Sequence, residues 1–271
     1  MRYIIVAVLC FMFSSTSAQH MPYSFNKNVD IGVTSTIAAG AIAYYILNSR
    51  VEPLQYSDVE GLSSADLLSM NESAVAPYSS SNAKRSRRIA LTGTITGLGL
   101  QGITVLAASK HTGSFWEHAG IIGTMLLQVN GAAYYGAGIA KTTVLNPRPY
   151  VYDNSNALKS LEKEARYSFF SRHTSVTAAN TFFTAHVISN YYAPSAFTYS
   201  VWGAAAVLPA AVGFFRVQSG EHFPTDVIAG YAWGAACGLL IPYLHKKREN
   251  NNSQVHFNIY GAQYMSLSYV W

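Results

Sequence analysis

Apolar residues run along this chain in long blocks that charged residues do not enter. No Asp, Glu, Lys or Arg occurs in 89–109, 119–140, 173–215 or 227–244. Charge-free blocks of about twenty residues are candidates for membrane spans. Their Gly, Ala, Ser and Thr content suits helices that pack closely in lipid. The blocks predict helices over 89–108, 118–140, 174–193, 199–216 and 225–244. A further apolar segment, 31–49, is followed by a polar stretch, 50–88, with Pro53, Pro77 and a serine run at 79–81. That stretch reads as loop, with one short amphipathic helix near 64–70 that Ser64 can cap. The end of the chain, 255–271, partly alternates apolar with polar residues and is rich in Tyr, which predicts a strand or hairpin. The expected fold class is therefore all-α, a membrane-embedded helical bundle of about five spanning helices with a short β tail.

Composition sharpens this picture. Of 271 residues, 50% are apolar and 11% charged, less than half the charge of an ordinary soluble domain. The first residues have the form of a secretory leader: Arg2, an apolar core at 3–13, and Thr16-Ser17-Ala18 before a cleavage point at Gln19. Cleavage would remove Cys10 and leave Cys237 alone, so no internal disulfide is expected. The net charge of +5 suits an anionic surface or substrate. It does not point to nucleic acid, because no basic helix, zinc spacing or aromatic-basic ladder accompanies it. The expected division is a leader at 1–18, an N-terminal segment at 19–88, a helical domain at 89–248 and a tail at 249–271.

Three short islands carry the candidate chemistry. The first is Lys141, six residues, then Arg148-Pro149. The second is Phe170-Ser171-Arg172-His173. The third is Arg216, five residues, His222, three residues, Asp226. A phosphoryl group in transfer carries charge on three equatorial oxygens, and a site without a metal must meet it with cations and N–H donors. Lys141, Arg148 and Arg216 supply three positive charges, and an arginine fork can hold two oxygens at once. Ser171 adds a hydroxyl, and Arg172 a fourth cation. Its direction is open between phosphate and headgroups; the outward direction is favoured because three cations already match one phosphate. His222 and Asp226 are one helical turn apart, so the carboxylate can accept from one ring nitrogen and free the other to attack phosphorus. His173 can protonate the leaving oxygen and then activate water. Of the remaining histidines, 111, 118, 186, 245 and 256 show no metal-ligand spacing among them.

In order and spacing the islands resemble the tripartite signature of the phosphatidic acid phosphatase type 2 (PAP2) family, in its bacterial membrane lipid-phosphatase branch. That family shares its site with bacterial class A acid phosphatases and vanadium haloperoxidases. The resemblance covers roughly 89–244. It implies a helical bundle, a phosphohistidine at His222, an acid/base at His173, and neither metal nor cofactor. Three positions depart from the signature: Phe170 and Arg172 stand where proline and glycine are usual, and Phe215 where serine precedes the arginine.

The islands lie at helix ends that alternation puts on one face of the bundle. The basic cluster His245-Lys246-Lys247-Arg248 lies at the other end, and the positive-inside rule assigns it to the cytoplasm. With an exported N-terminus, this requires that 31–49 does not cross; its apolar core spans about 17 residues and contains Gly32 and Gly40. The expectation is then a phosphatase of lipid phosphate monoesters or diphosphates at the periplasmic face of the inner membrane. A soluble periplasmic acid phosphatase, a haloperoxidase and a non-catalytic envelope module are the alternatives.

Overall fold

The computed structural model describes residues 21–153 and 157–247, together with the backbone of the strands Gln254–Tyr260 and Tyr264–Val270. The expected leader at 1–18, with Cys10, lies outside the described residues. Long helices dominate: α1 (Lys27–Ser49), α2 (Ser80–Thr112), α3 (Phe115–Val144), α4 (Arg172–Tyr191), α5 (Ala196–Val217) and α6 (Pro224–His245). Their starts are written in the sequence. Asn26 accepts from the N–H groups of Asn28 and Val29 to begin α1. Ser171 caps α4, and Ser195 forms a capping box with Thr198 on α5. Pro224 opens α6 at a position where its missing N–H is no loss. Gly113, at φ 71°, closes α2 in the left-handed conformation that glycine tolerates.

The predicted helices are present, most of them extended by a few residues, while the one expected over 174–193 is shifted two residues earlier, to Arg172–Tyr191. The largest extension is α2, which begins at Ser80 and so takes Lys84, Arg85, Arg87 and Arg88 into a helix. The expected helix near 64–70 is instead a 3-10 turn, Ser64–Asp66, capped by Ser63, followed by a short helix, Ser69–Glu72. At the end of the chain the two strands pair antiparallel, from Gln254 opposite Val270 to Tyr260 opposite Tyr264.

Helix α4 is the axis of the bundle, packed by α2, α3, α5 and α6. Its tightest neighbour is α6, for a reason visible at Gly230, Gly234 and Gly238. A Cβ at these positions would come within 2.5, 2.0 and 2.5 Å of the carbonyl oxygens of Ser171, Ser175 and Ala179. Small residues at four-residue spacing let two backbones approach this closely.

The outer faces remain apolar. Ile42 and Ile46 on α1, Leu91, Ile95 and Leu106 on α2, Leu127 on α3, Val207 and Phe214 on α5, and Ile228 and Leu240 on α6 are all exposed. Four of these helices, α1, α2, α5 and α6, are long and apolar enough to cross a bilayer. This is the surface of a membrane protein, because an apolar belt around a whole bundle is solvated by lipid and not by water.

One expectation is overturned. Residues 31–49 do not stop at one side of the bundle. At its start, α1 is held by His245 Nε2, 2.9 Å from Asp30 Oδ1 at the end of α6. At its end, Asn48 Oδ1 accepts from the Tyr167 hydroxyl at 2.8 Å, close to the start of α4. Because α6 ends where α4 does not begin, α1 runs the full height, about 34 Å for 23 residues. The two glycines do not shorten it: Gly40 sits against Ile139 of α3 and Gly32 faces open space.

Candidate active site

The first island is built on the end of α3. Lys141 lies in the last turn, buried, and its Nζ donates to the carbonyls of Tyr167 at 2.5 Å and Ser168 at 3.3 Å. That bond ties α3 to the segment leading into α4. Arg148 follows in the loop. Its backbone N–H donates to Ala165 O at 2.8 Å and its Nε to Glu164 O at 2.9 Å. The outer part of its fork, Nη1, reaches Glu221 Oε2 at 2.6 Å.

The second and third islands are joined through their backbones: the N–H of Ser171 donates to Asp226 O at 3.0 Å. The close approach of α4 and α6 makes this bond possible. Ser171 is fully buried, and its hydroxyl sits 2.9 Å from Thr174 Oγ1 at the start of α4. His173, in the first turn of α4, lines the cleft.

The third island turns tightly between α5 and α6. Arg216 is in the last turn of α5, buried, and its Nη2 pairs with Glu221 Oε2. Gly220 makes the turn at φ 70°, and a Cβ there would lie 2.7 Å from Ala76 O. His222 follows, 1% exposed. Burial first, then the charges of Lys141, Arg148 and Arg216, hold its imidazole well below the ordinary histidine range, so it is neutral. Asp226 is the third residue of α6. Its Oδ2 accepts from Phe223 N–H at 2.8 Å and from the Ser168 hydroxyl at 2.5 Å. The expected His222–Asp226 bond is not closed: Nδ1 and Oδ2 are 3.7 Å apart, and Nδ1 and Asp226 Oδ1 both lack a hydrogen-bond partner among the described residues.

Lys141, Arg148, Arg172, His173, Arg216 and His222 all face one cavity of about 220 Å³. The sequence-predicted residues thus come together, with Ser171 turned to its helix cap and Asp226 behind His222. Arg172, expected to point outward, lines the cavity and is half-buried. Its guanidinium lies over the ring of Tyr134, 4.2 Å from the centroid, and near that of Tyr44 at 5.3 Å. Four contributors were not anticipated. Tyr44 and Asn48 bring α1 into the cleft wall. Ser168 braces Asp226, and Glu221 bridges the two arginines. For Glu221 a signal existed, since it precedes His222 inside the third island; the other three depend on tertiary packing. Among the described residues no group of three or more His, Cys, Asp or Glu is arranged to hold a metal ion.

Residues 122–250, which contain all three islands, match the family model of the PAP2 superfamily. None of the curated proteins and none of the solved structures matches the chain.

Proposed function

We propose, from the match of residues 122–250 to the PAP2 superfamily model and from the geometry of the cleft, that this chain is a phosphatase that hydrolyses a lipid phosphate monoester or diphosphate through a phosphohistidine at His222. The observation that carries the reading is the convergence of His222, His173, Lys141, Arg148 and Arg216 on one cavity. Burial, then the charges of Arg216, Arg148 and Lys141, lower the pKa of His173 to about 3, so it is neutral in the empty cleft. The neutral His222 attacks phosphorus through Nε2, and the bond to the leaving oxygen breaks as His173 relays to it the proton that a singly protonated phosphoryl group brings into the cleft. The charge that grows on the equatorial oxygens falls on the two arginine forks and on backbone N–H groups at the start of α4. Asp226, a small movement from Nδ1, then meets the positive charge that the phosphorylated ring carries. In the second half His173, now the base, takes a proton from water as the water oxygen attacks phosphorus, and inorganic phosphate leaves.

A lipid substrate is favoured over a soluble ester by the apolar belt that surrounds the bundle below the cleft. The same belt weighs against a soluble periplasmic acid phosphatase. The periplasmic orientation expected from the sequence rested on 31–49 not crossing. With α1 crossing, residues 21–26 and 246–247 lie at the end opposite the cleft. A secretory leader then puts the cleft on the cytoplasmic side, and an N-terminus retained in the cytoplasm puts it on the periplasmic side. Alkaline phosphatase and a cytoplasm-active fluorescent protein, each fused after Lys247, read which holds. The activity itself is tested by phosphate release from phosphatidate, phosphatidylglycerophosphate, polyprenyl diphosphate and lipid A in detergent. Absence of release from every one of them, and from a soluble ester, refutes the reading.

A further inference from the structure

Glu221 stands where a phosphoryl oxygen would go. A single carboxylate oxygen, Oε2, contacts Arg148 Nη1 at 2.6 Å and Arg216 Nη2. Two guanidinium groups converging on one anionic oxygen is the arrangement that holds an equatorial phosphoryl oxygen. The carboxylate and a bound phosphoryl group therefore compete for one place.

An alternative role for Glu221 is to hold the arginines in position, and the surrounding bonds weigh against it. Arg148 is anchored by its own N–H to Ala165 O and by Nε to Glu164 O. Arg216 is carried by the last turn of α5, and its carbonyl accepts from Glu221 N–H at 3.2 Å and from the Ser219 hydroxyl at 2.8 Å. Arg148 therefore keeps its place without the carboxylate, and the Arg216 guanidinium, whose Nε has no partner among the described residues, is confined by burial at the end of α5. Glu221, by contrast, has a fixed backbone and a free side chain. The Gly220 turn is pinned by Tyr150 N–H to Gly220 O at 3.0 Å, while the side chain keeps 10% of its surface accessible. Rotation about its own χ angles is enough to take the carboxylate off the arginines.

We propose that Glu221 is an internal counter-anion, seated on Arg148 and Arg216 in the empty cleft and displaced when a phosphoryl group enters. It sets how tightly the cleft retains any anion and not the choice among them: both ester and product are weakened by a similar factor, so a phosphate ester with a further binding group is still held while the free phosphate product is released. The proposal takes its substrate from the phosphatase reading above, but the seat itself can be tested with no reaction.

The test is calorimetric titration of inorganic phosphate into the detergent-solubilised full chain, as wild type, Glu221→Gln and Glu221→Asp, with melting temperatures recorded for each. Glu221→Gln removes the competing charge at constant shape. Its phosphate Kd is expected to fall at least tenfold, and in turnover the inhibition constant for phosphate and KM for a soluble ester should fall together, with kcat unchanged or lower. Glu221→Asp, one methylene too short to span both forks, should tighten phosphate by a smaller factor, and it decides the matter should the glutamine variant fail to fold. Equal or weaker phosphate binding in the folded variants overturns the proposal, because the carboxylate would then be supporting the arginines. Tighter phosphate binding in the variants of a protein whose wild type hydrolyses no ester would leave the seat standing and remove the phosphatase reading. Phosphate binding to none of the three removes both.

Discussion

Asp226→Asn separates two jobs held by one carboxylate. Oδ2 accepts from Phe223 N–H at 2.8 Å, closing the first turn of α6, and from the Ser168 hydroxyl at 2.5 Å. It also lies 3.7 Å from His222 Nδ1, within a small shift of a hydrogen bond. Asparagine keeps a carbonyl oxygen for the Phe223 N–H, so the helix start survives, but the charge facing the histidine is gone. Hydrogen bonds to a charged group contribute about 1.5–3 kcal/mol, against about 0.5–1.5 for a neutral pair. The His222–Asp226 bond strengthens as the ring takes up the phosphoryl group and becomes positive, so its loss raises the barrier by up to about 3 kcal/mol. At tenfold per 1.4 kcal/mol, kcat falls by about tenfold to one hundredfold. Thermal stability should change by less than about 1 kcal/mol, whereas Asp226→Ala, which also removes the cap, loses a further 0.5–2 kcal/mol or so. Steady-state rates on a short, water-soluble phosphate ester, with unfolding curves for both variants, make the comparison. An asparagine variant within threefold of wild-type kcat would refute the orienting role and leave Asp226 as a helix cap alone.

His222→Ala should abolish turnover in a folded protein, and acid-labile, base-stable phosphate should be trapped on the wild type and not on the variant; trapping at His173 would overturn the assignment. Three cations meeting the phosphoryl charge leave no task for a divalent ion, so activity should survive EDTA and be inhibited by vanadate, and loss in EDTA restored by magnesium would contradict this. Arg172→Gly should change KM on a soluble ester by less than tenfold, because Lys141, Arg148 and Arg216 already match the charge of one phosphate; a larger rise would mean that the arginine binds the phosphate directly.

What was legible in the sequence was whatever the covalent chain carries at short range. The offsets between Lys141 and Arg148, and between Arg216, His222 and Asp226, are fixed by a loop and a helix start, so they survive folding unchanged. Charge-free blocks located the helices because lipid-facing and buried faces alike exclude charge. Three features could not be read this way. Ser168 meets Asp226 across 58 residues, and no local pattern marks a hydroxyl that will brace a distant carboxylate. Arg172 was recognised as a departure, but the rings that hold it come from α1 and α3. The full-height run of α1 was not legible because the positive-inside rule with an exported N-terminus argued against it, supported by its glycines and short apolar core, whereas its polar ends, Asp30 and Asn48, fasten it to α6 and to the segment before α4 only in the folded bundle.

The arrangement of helix ends explains why these particular residue types stand at the cleft. Lys141 and Arg216 occupy the last turns of α3 and α5, where the carbonyl ends of the helices favour positive charge. Helices α4 and α6 begin at the same cleft, and their first turns present N–H groups and favour an anion. Two outgoing and two incoming helices therefore supply fixed cations and fixed donors to one place. The glycine stripe on α6 brings the two incoming ends together, closely enough for Ser171 N–H to reach Asp226 O. Packing in the middle of the bundle thus sets the distance between His173 and His222 at its end. The chemistry asks only that the cleft hold excess positive charge when empty, and a protein must then balance that charge until substrate arrives. Glu221, on the turn between α5 and α6, is placed to do so.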